Sequence, residues 1–189
     1  MLLLLLALVG AGAATLVAVV AIYNGLVALR AQASNAWADI DVQLKRRHDL
    51  VPNLVETVKG YASHEKDALE AVIAARATAM AGGSPAARGE AESRLGQAIK
   101  SLFALAEAYP QLRAVESFTS LQTSLGETEN AIQNARRYYN AVVRYLNTRI
   151  EQFPSNLVAQ NFGFTPREFF EVRDAAEREA PQVLFKTGT

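Results

Sequence analysis

Residues 118–153, FTSLQTSLGETENAIQNARRYYNAVVRYLNTRIEQF, carry the signal that decides the fold. Phe118, Leu121, Leu125, Thr128, Ile132, Ala135, Tyr139, Val142, Leu146, Ile150 and Phe153 recur by threes and fours, with one slip to a second four near the end. That period belongs to a helix with one buried stripe, about 50 Å long at ~1.5 Å rise per residue. A helix of that length needs neighbours of similar length to cover its stripe.

Working toward the N-terminus, Tyr109-Pro110 ends a second helix that begins after Pro85 and buries Leu95, Ile99, Leu102, Leu105 and Ala106. The run Ala81-Gly82-Gly83-Ser84-Pro85 is the clearest loop in the chain. Before it, Leu26, Leu29, Ala33, Trp37, Ile40, Leu44, Val51, Leu54, Val58, Tyr61, Leu69, Val72 and Met80 fall in steps suited to one helix face. The first long helix is therefore expected over 23–80. Pro52 lacks an amide donor and clashes with the preceding turn, so a kink near Asp49 to Val51, or a new first turn, is expected there. A short C-terminal helix is expected from Thr165-Pro166-Arg167-Glu168, a capping box with proline at the first helical position. Three long helices with short connections give an all-α, antiparallel up-and-down bundle.

Residues 1–29 hold none of the 38 charged side chains of the chain. Leu2 to Ile22 would span about 31 Å as a helix, the thickness of a bilayer core. The alternative is a cleaved signal peptide with Ala11-Gly12-Ala13 at the cut. The flank before it has no Lys or Arg, and the apolar run continues well past that point. The expected organisation is a transmembrane anchor over 1–29, continuous with a bundle domain over 30–189. Basic residues follow the span (Arg30, Lys45, Arg46, Arg47) and none precedes it, which predicts a cytoplasmic body.

Charge and composition exclude several functions. Nineteen basic and 19 acidic residues balance, arguing against nucleic-acid binding through a broad basic surface. Without cysteine there is no disulfide, thiolate nucleophile or iron–sulfur cluster. The 34 alanines favour helix throughout. Neither His48 nor His64 has a glutamate three residues before it, so the bundle-type metal motif is missing, and no metal or other cofactor is expected. No nucleophile elbow, His-Glu-x-x-His or phosphate loop occurs either.

Several groups are candidate interaction residues. Ala7, Ala11, Ala14, Ala18, Ala21, Gly25 and Ala28 form a small-residue seam along which membrane helices could approach, or are the scatter of an alanine-rich chain. Lys45, Arg46 and Arg47 belong to a dense polar run with Asp39, Asp41 and Asp49. This reads as a solvated face, as a headgroup contact if the helix bends over, or as a salt-bridge surface for a partner or second subunit. Phe162, Phe164, Phe169 and Phe170 close one end of the bundle or form an apolar docking surface. Arg136 and Arg137 lie on the third helix; an inward Arg137 would need a carboxylate such as Asp39, Asp41 or Glu56, and otherwise the pair lies on a solvated face.

Longer motifs run through the chain: Tyr23 to Arg30, Ala36 to Val55, Val58-Lys59-Gly60-Tyr61 with His64-Glu65, Ala75-Arg76, and Ala108-Tyr109-Pro110. Glu129-Asn130, Arg136 to Asn140, Phe153 to Asn156 and Ala180 to Phe185 follow. In these segments the sequence closely resembles the LemA family. The resemblance implies a bacterial membrane protein with one N-terminal span and a helical bundle. It implies no enzymatic activity, cofactor or catalytic residue, and some relatives are associated with specialised intracellular membranes. The expected function is a non-enzymatic scaffold at the inner membrane that self-associates and presents its bundle to a partner. The alternatives are a membrane-organising protein acting through ordered homo-oligomers, and an enzyme with an unrecognised site.

Overall fold

The computed structural model describes residues 1–171, and all regular structure in that range is helical. Helix α1 (Leu2–Lys59) is followed by α2 (Lys66–Met80), α3 (Pro85–Ala106), the single turn α4 (Pro110–Arg113), α5 (Glu116–Glu151) and the short α6 (Ser155–Asn161). The uncharged N-terminal stretch and the first body helix form one continuous helix, as the uninterrupted sequence from Tyr23 to Arg47 implies. The junction at 29/30 lies inside α1, and packing against the body already begins at Val19 and Ile22.

The expected helix over 23–80 is in fact two, so the bundle has four long helices. The break is at 60–65 rather than at Pro52. Proline at 52 cannot donate to the His48 carbonyl one turn earlier, which would leave that carbonyl without its helical partner. Arg76 Nε on α2 donates to it instead, at 2.8 Å. With that oxygen satisfied from outside, α1 runs through Pro52 for another two turns.

Pairings across the bundle give the topology. Gln32 meets Tyr138 and Arg47 meets Glu129, so α5 runs antiparallel to α1. Arg88 pairs with Asp41 and Glu92 with Arg47, so α3 runs parallel to α1. Helix α2 returns between them, placing Arg76 beside His48. The order is up-down-up-down, with α3 and α5 facing each other across a groove.

The apolar interior is in two parts. Near the span, Leu26, Ala33, Ala36, Ile40 and Leu44 pack on Ile132, Tyr139, Val142, Leu146 and Ile150. At the distal end, Val51, Leu54 and Val58 pack with Leu69, Val72, Leu95, Leu102, Phe118 and Leu125. The α5 stripe is buried as its spacing predicts, except that Leu121 and Ala135 are half-buried and Phe153 ends it in an exposed position.

No helix forms from Thr165. Residues 164–171 are an extended strap along α5, held by side-chain amides. Asn147 donates to the Arg167 carbonyl and accepts from its amide, both at 2.9 Å. Asn140, seven residues earlier on the same face, does the same for Phe170 at 3.1 and 2.9 Å. Tyr139 donates its hydroxyl to the Glu168 carbonyl. These bonds use backbone groups that a helix would have paired internally, so the capping box at Thr165 is overridden by contacts with α5. At Glu171 the strap lies against Gly89 of α3, where any Cβ would collide with the Glu171 carbonyl.

Candidate functional site

Between the two apolar cores lies a polar layer. Arg47 of α1 is 4 % exposed and Glu92 of α3 is 2 % exposed. The Arg47 guanidinium pairs with the Glu92 carboxylate, donates to the Glu92 carbonyl at 3.2 Å, and reaches Glu129 of α5 at 2.8 Å. The second Glu92 oxygen meets His48 Nε2 at 2.7 Å. Buried charge is tolerable only when paired and hydrogen-bonded, and here one arginine ties three helices at a single level. Moving α3 by one turn would take the buried Glu92 carboxylate away from both Arg47 and His48, so the layer fixes the vertical register of the helices.

Burial raises the Glu92 pKa, but the His48 hydrogen bond and the Arg47 charge outweigh it, and the carboxyl is held below its ordinary value of 4.5. A depressed folded-state pKa stabilises the fold above the unfolded value, and that contribution is lost as pH falls through the folded value. Stability is therefore expected to decline below about pH 4.5 as Glu92 takes up a proton, with part of the decline absent in Glu92→Gln. Denaturation midpoints across an acid pH series measure this, and identical acid slopes for the two proteins would refute it.

The same layer floors the α3–α5 groove. Toward the strap the groove is polar, bounded by Ser93, Gln97, Gln133, Arg136 and Phe170. Toward the distal end it is an apolar cleft of about 230 Å³ between Ile99 and Phe103 on one side and Leu125 and Gly126 on the other. Arg47, Gly96, Lys100 and Glu129 border both halves. Among the described residues no group of three or more His, Asp or Glu is placed to hold a metal ion.

The structure separates the sequence-derived candidates. Ala7, Ala11, Ala14, Ala18, Ala21 and Gly25 are all exposed on α1. Lys45 and Arg46 are exposed, but Arg47 is not part of their surface, because it is the buried ion of the polar layer. Asp39 is exposed; Asp41 pairs with Arg88 at 2.8 Å. Arg137 is exposed and bonds to Asn134 on its own helix, so the inward pairing with α1 does not form. Arg136 borders the groove. Phe164 and Phe170 are buried, Phe169 is half-buried, and Phe162 is exposed while touching Tyr23. Glu92 was missed as a site residue. It sits in the weakly patterned α3, and its only sequence signal is a glutamate near the helix's apolar stripe, three residues before Leu95.

Comparison with known proteins finds relatives along most of the chain. The relatives include Magnetosome protein MamQ 2 and Magnetosome protein MamQ 1 of Paramagnetospirillum magneticum, each 28 % identical over 182 residues. Magnetosome protein MamQ of Magnetospirillum gryphiswaldense is 25 % identical over 190 aligned residues. The matches cover 82 to 86 % of this chain, but the chain spans only 66 % of the first two relatives and 70 % of the third. A family model described as the LemA family matches residues 36–185, which takes in the bundle from the buried Ala36 through the polar layer to the strap. The chain belongs to the LemA family.

Proposed function

We propose that this protein is a non-enzymatic, membrane-anchored scaffold that self-associates through its span and offers its helical bundle to a partner in the cytoplasm. The observation that carries this reading is α1. Its first turns are apolar, uncharged and wholly exposed, yet the same helix continues into the bundle core and carries the polar layer. An exposed apolar segment of this length is costly in water and suited to lipid. The exposed small-residue seam supports helix–helix approach within the bilayer. The α3–α5 groove, apolar at one end and charged at the other, supports a surface that binds a segment of another protein. The cytoplasmic placement rests on the basic residues that follow the span.

Ala14→Ile with Ala18→Ile tests the self-association. The expected result is a smaller detergent-extracted oligomer with an unchanged helical signal, measured by light scattering or native mass spectrometry. An unchanged oligomer would remove the seam from the mechanism, and a wild-type monomer would remove self-association altogether. A second reading is a membrane-organising role through ordered oligomers, supported by relatives named as magnetosome proteins. Deformation of liposomes by purified protein would favour it over simple scaffolding.

A further inference from the structure

The end of the bundle nearest the span ends in apolar side chains facing outward. Phe153 is 75 % exposed, Leu157 51 % and Phe162 55 %, all on the α5–α6 corner. Their position along α1 is fixed by packing. Phe162 lies 4.9 Å from Tyr23, ring to ring, and Phe164 lies 5.7 Å from it. Ser155 and Arg149 border the same cleft as Ile22, Gly25 and Leu29. The corner is thus level with the last turns of the uncharged stretch, just before Arg30, whose guanidinium sits 5.0 Å over the Phe164 ring.

We propose that the α5–α6 corner is a second membrane contact, with Phe153, Leu157 and Phe162 inserted at headgroup depth. The inference rests on the reading that residues 2–22 cross the bilayer and adds a site to it. If they cross, the continuous helix leaves the corner no other height. Residue 22 lies at the boundary of the hydrocarbon, and the corner packs beside it. Phe and Leu side chains of interfacial segments bury their apolar bodies at the headgroup–acyl boundary while polar neighbours stay hydrated. Arg30 and Arg149 supply cationic groups for lipid phosphates at the same level, and Glu151 is the acidic neighbour. Helix α6 then lies on the membrane in the manner of a short interfacial segment, while α1 crosses it.

The natural absence of cysteine makes the test direct. Full-length variants Ala11→Cys, Ser101→Cys, Phe153→Cys and Leu157→Cys are spin-labelled and reconstituted into vesicles of zwitterionic and anionic phospholipid. Collisions with oxygen and with a water-soluble nickel chelate are then compared. The proposal expects labels at 153 and 157 to be several-fold more shielded from nickel than at 101, with substantial oxygen exposure and a depth shallower than at 11. If position 11 is deep while 153 and 157 match 101, the corner is in water and the proposal fails, with the span intact. If 153 and 157 are shielded from both reagents, a protein partner or second copy covers them, which also overturns it. If position 11 itself behaves like 101, the spanning reading fails and takes this inference with it.

Discussion

Replacing Arg47 with alanine is expected to lower the unfolding free energy by ~3–5 kcal/mol, the range for removing one partner of a buried ion pair. The loss has a specific origin. Glu92 would remain buried on α3 with only His48 opposite it, and Glu129 would lose its cross-helix partner. The double substitution Arg47→Met with Glu92→Leu removes both charges and fills similar volume. It is expected to recover most of that loss, because the desolvation cost of each ion goes with the ion. Denaturant unfolding of the detergent-solubilised chain measures both. An Arg47→Ala loss below about 1 kcal/mol would mean that the layer is hydrated and contributes little. A double variant that is stable but populates several helix registers, seen as broadened or doubled NMR signals, would show that the layer contributes uniqueness more than stability.

Phe170→Ala is the second large effect, expected to cost ~3–5 kcal/mol as a fully buried aromatic truncated to a methyl group. Phe170 has no measurable exposure, and its ring lies 5.6 Å from Trp37 in an edge-to-face arrangement. Its own backbone is also clamped at both its amide and its carbonyl by Asn140. Losing the ring should therefore release the strap as well as leave a cavity. Hydrogen exchange at the Arg167 and Phe170 amides is expected to accelerate strongly, since both donate to α5 side chains. Unchanged exchange, together with a small loss of stability, would show that the two asparagines hold the strap without the ring.

How much of this was legible in the sequence depended on whether the signal was periodic or relational. The α5 stripe, the loop at Gly82-Gly83 and the start at Pro85 are local patterns, and the helices follow them. The break at 60–65 left a trace: the apolar stripe lapses from Tyr61 to Leu69, with Gly60 just before the gap and Ser63 inside it. Pro52 looked the stronger breaker because the sequence shows the missing donor but not Arg76, its replacement from another helix. The same limit explains the polar layer. Arg47 and Arg137 each stand in basic clusters beside apolar positions, and only the packing of α3 against α1 shows which one meets a buried carboxylate. The strap failed for a third reason. Thr165 to Glu168 has good helix-starting chemistry, but Asn140 and Asn147 compete for the same backbone groups from a distance the sequence does not display.

The continuity of α1 makes the protein a lever. From Ile22 to Pro52 the helix covers about 45 Å, so a change of ~10° in the tilt of the span would swing the far end of that arm by ~8 Å. A span longer than the local hydrocarbon thickness accommodates in part by tilting, and a hinge between anchor and body would absorb such a change. With the arm stitched to α2 at His48 and to α3 and α5 at Arg47, the displacement is delivered to the groove-bearing helices together. If residues 2–22 cross a bilayer, the orientation of the α3–α5 groove would then follow the tilt of that segment.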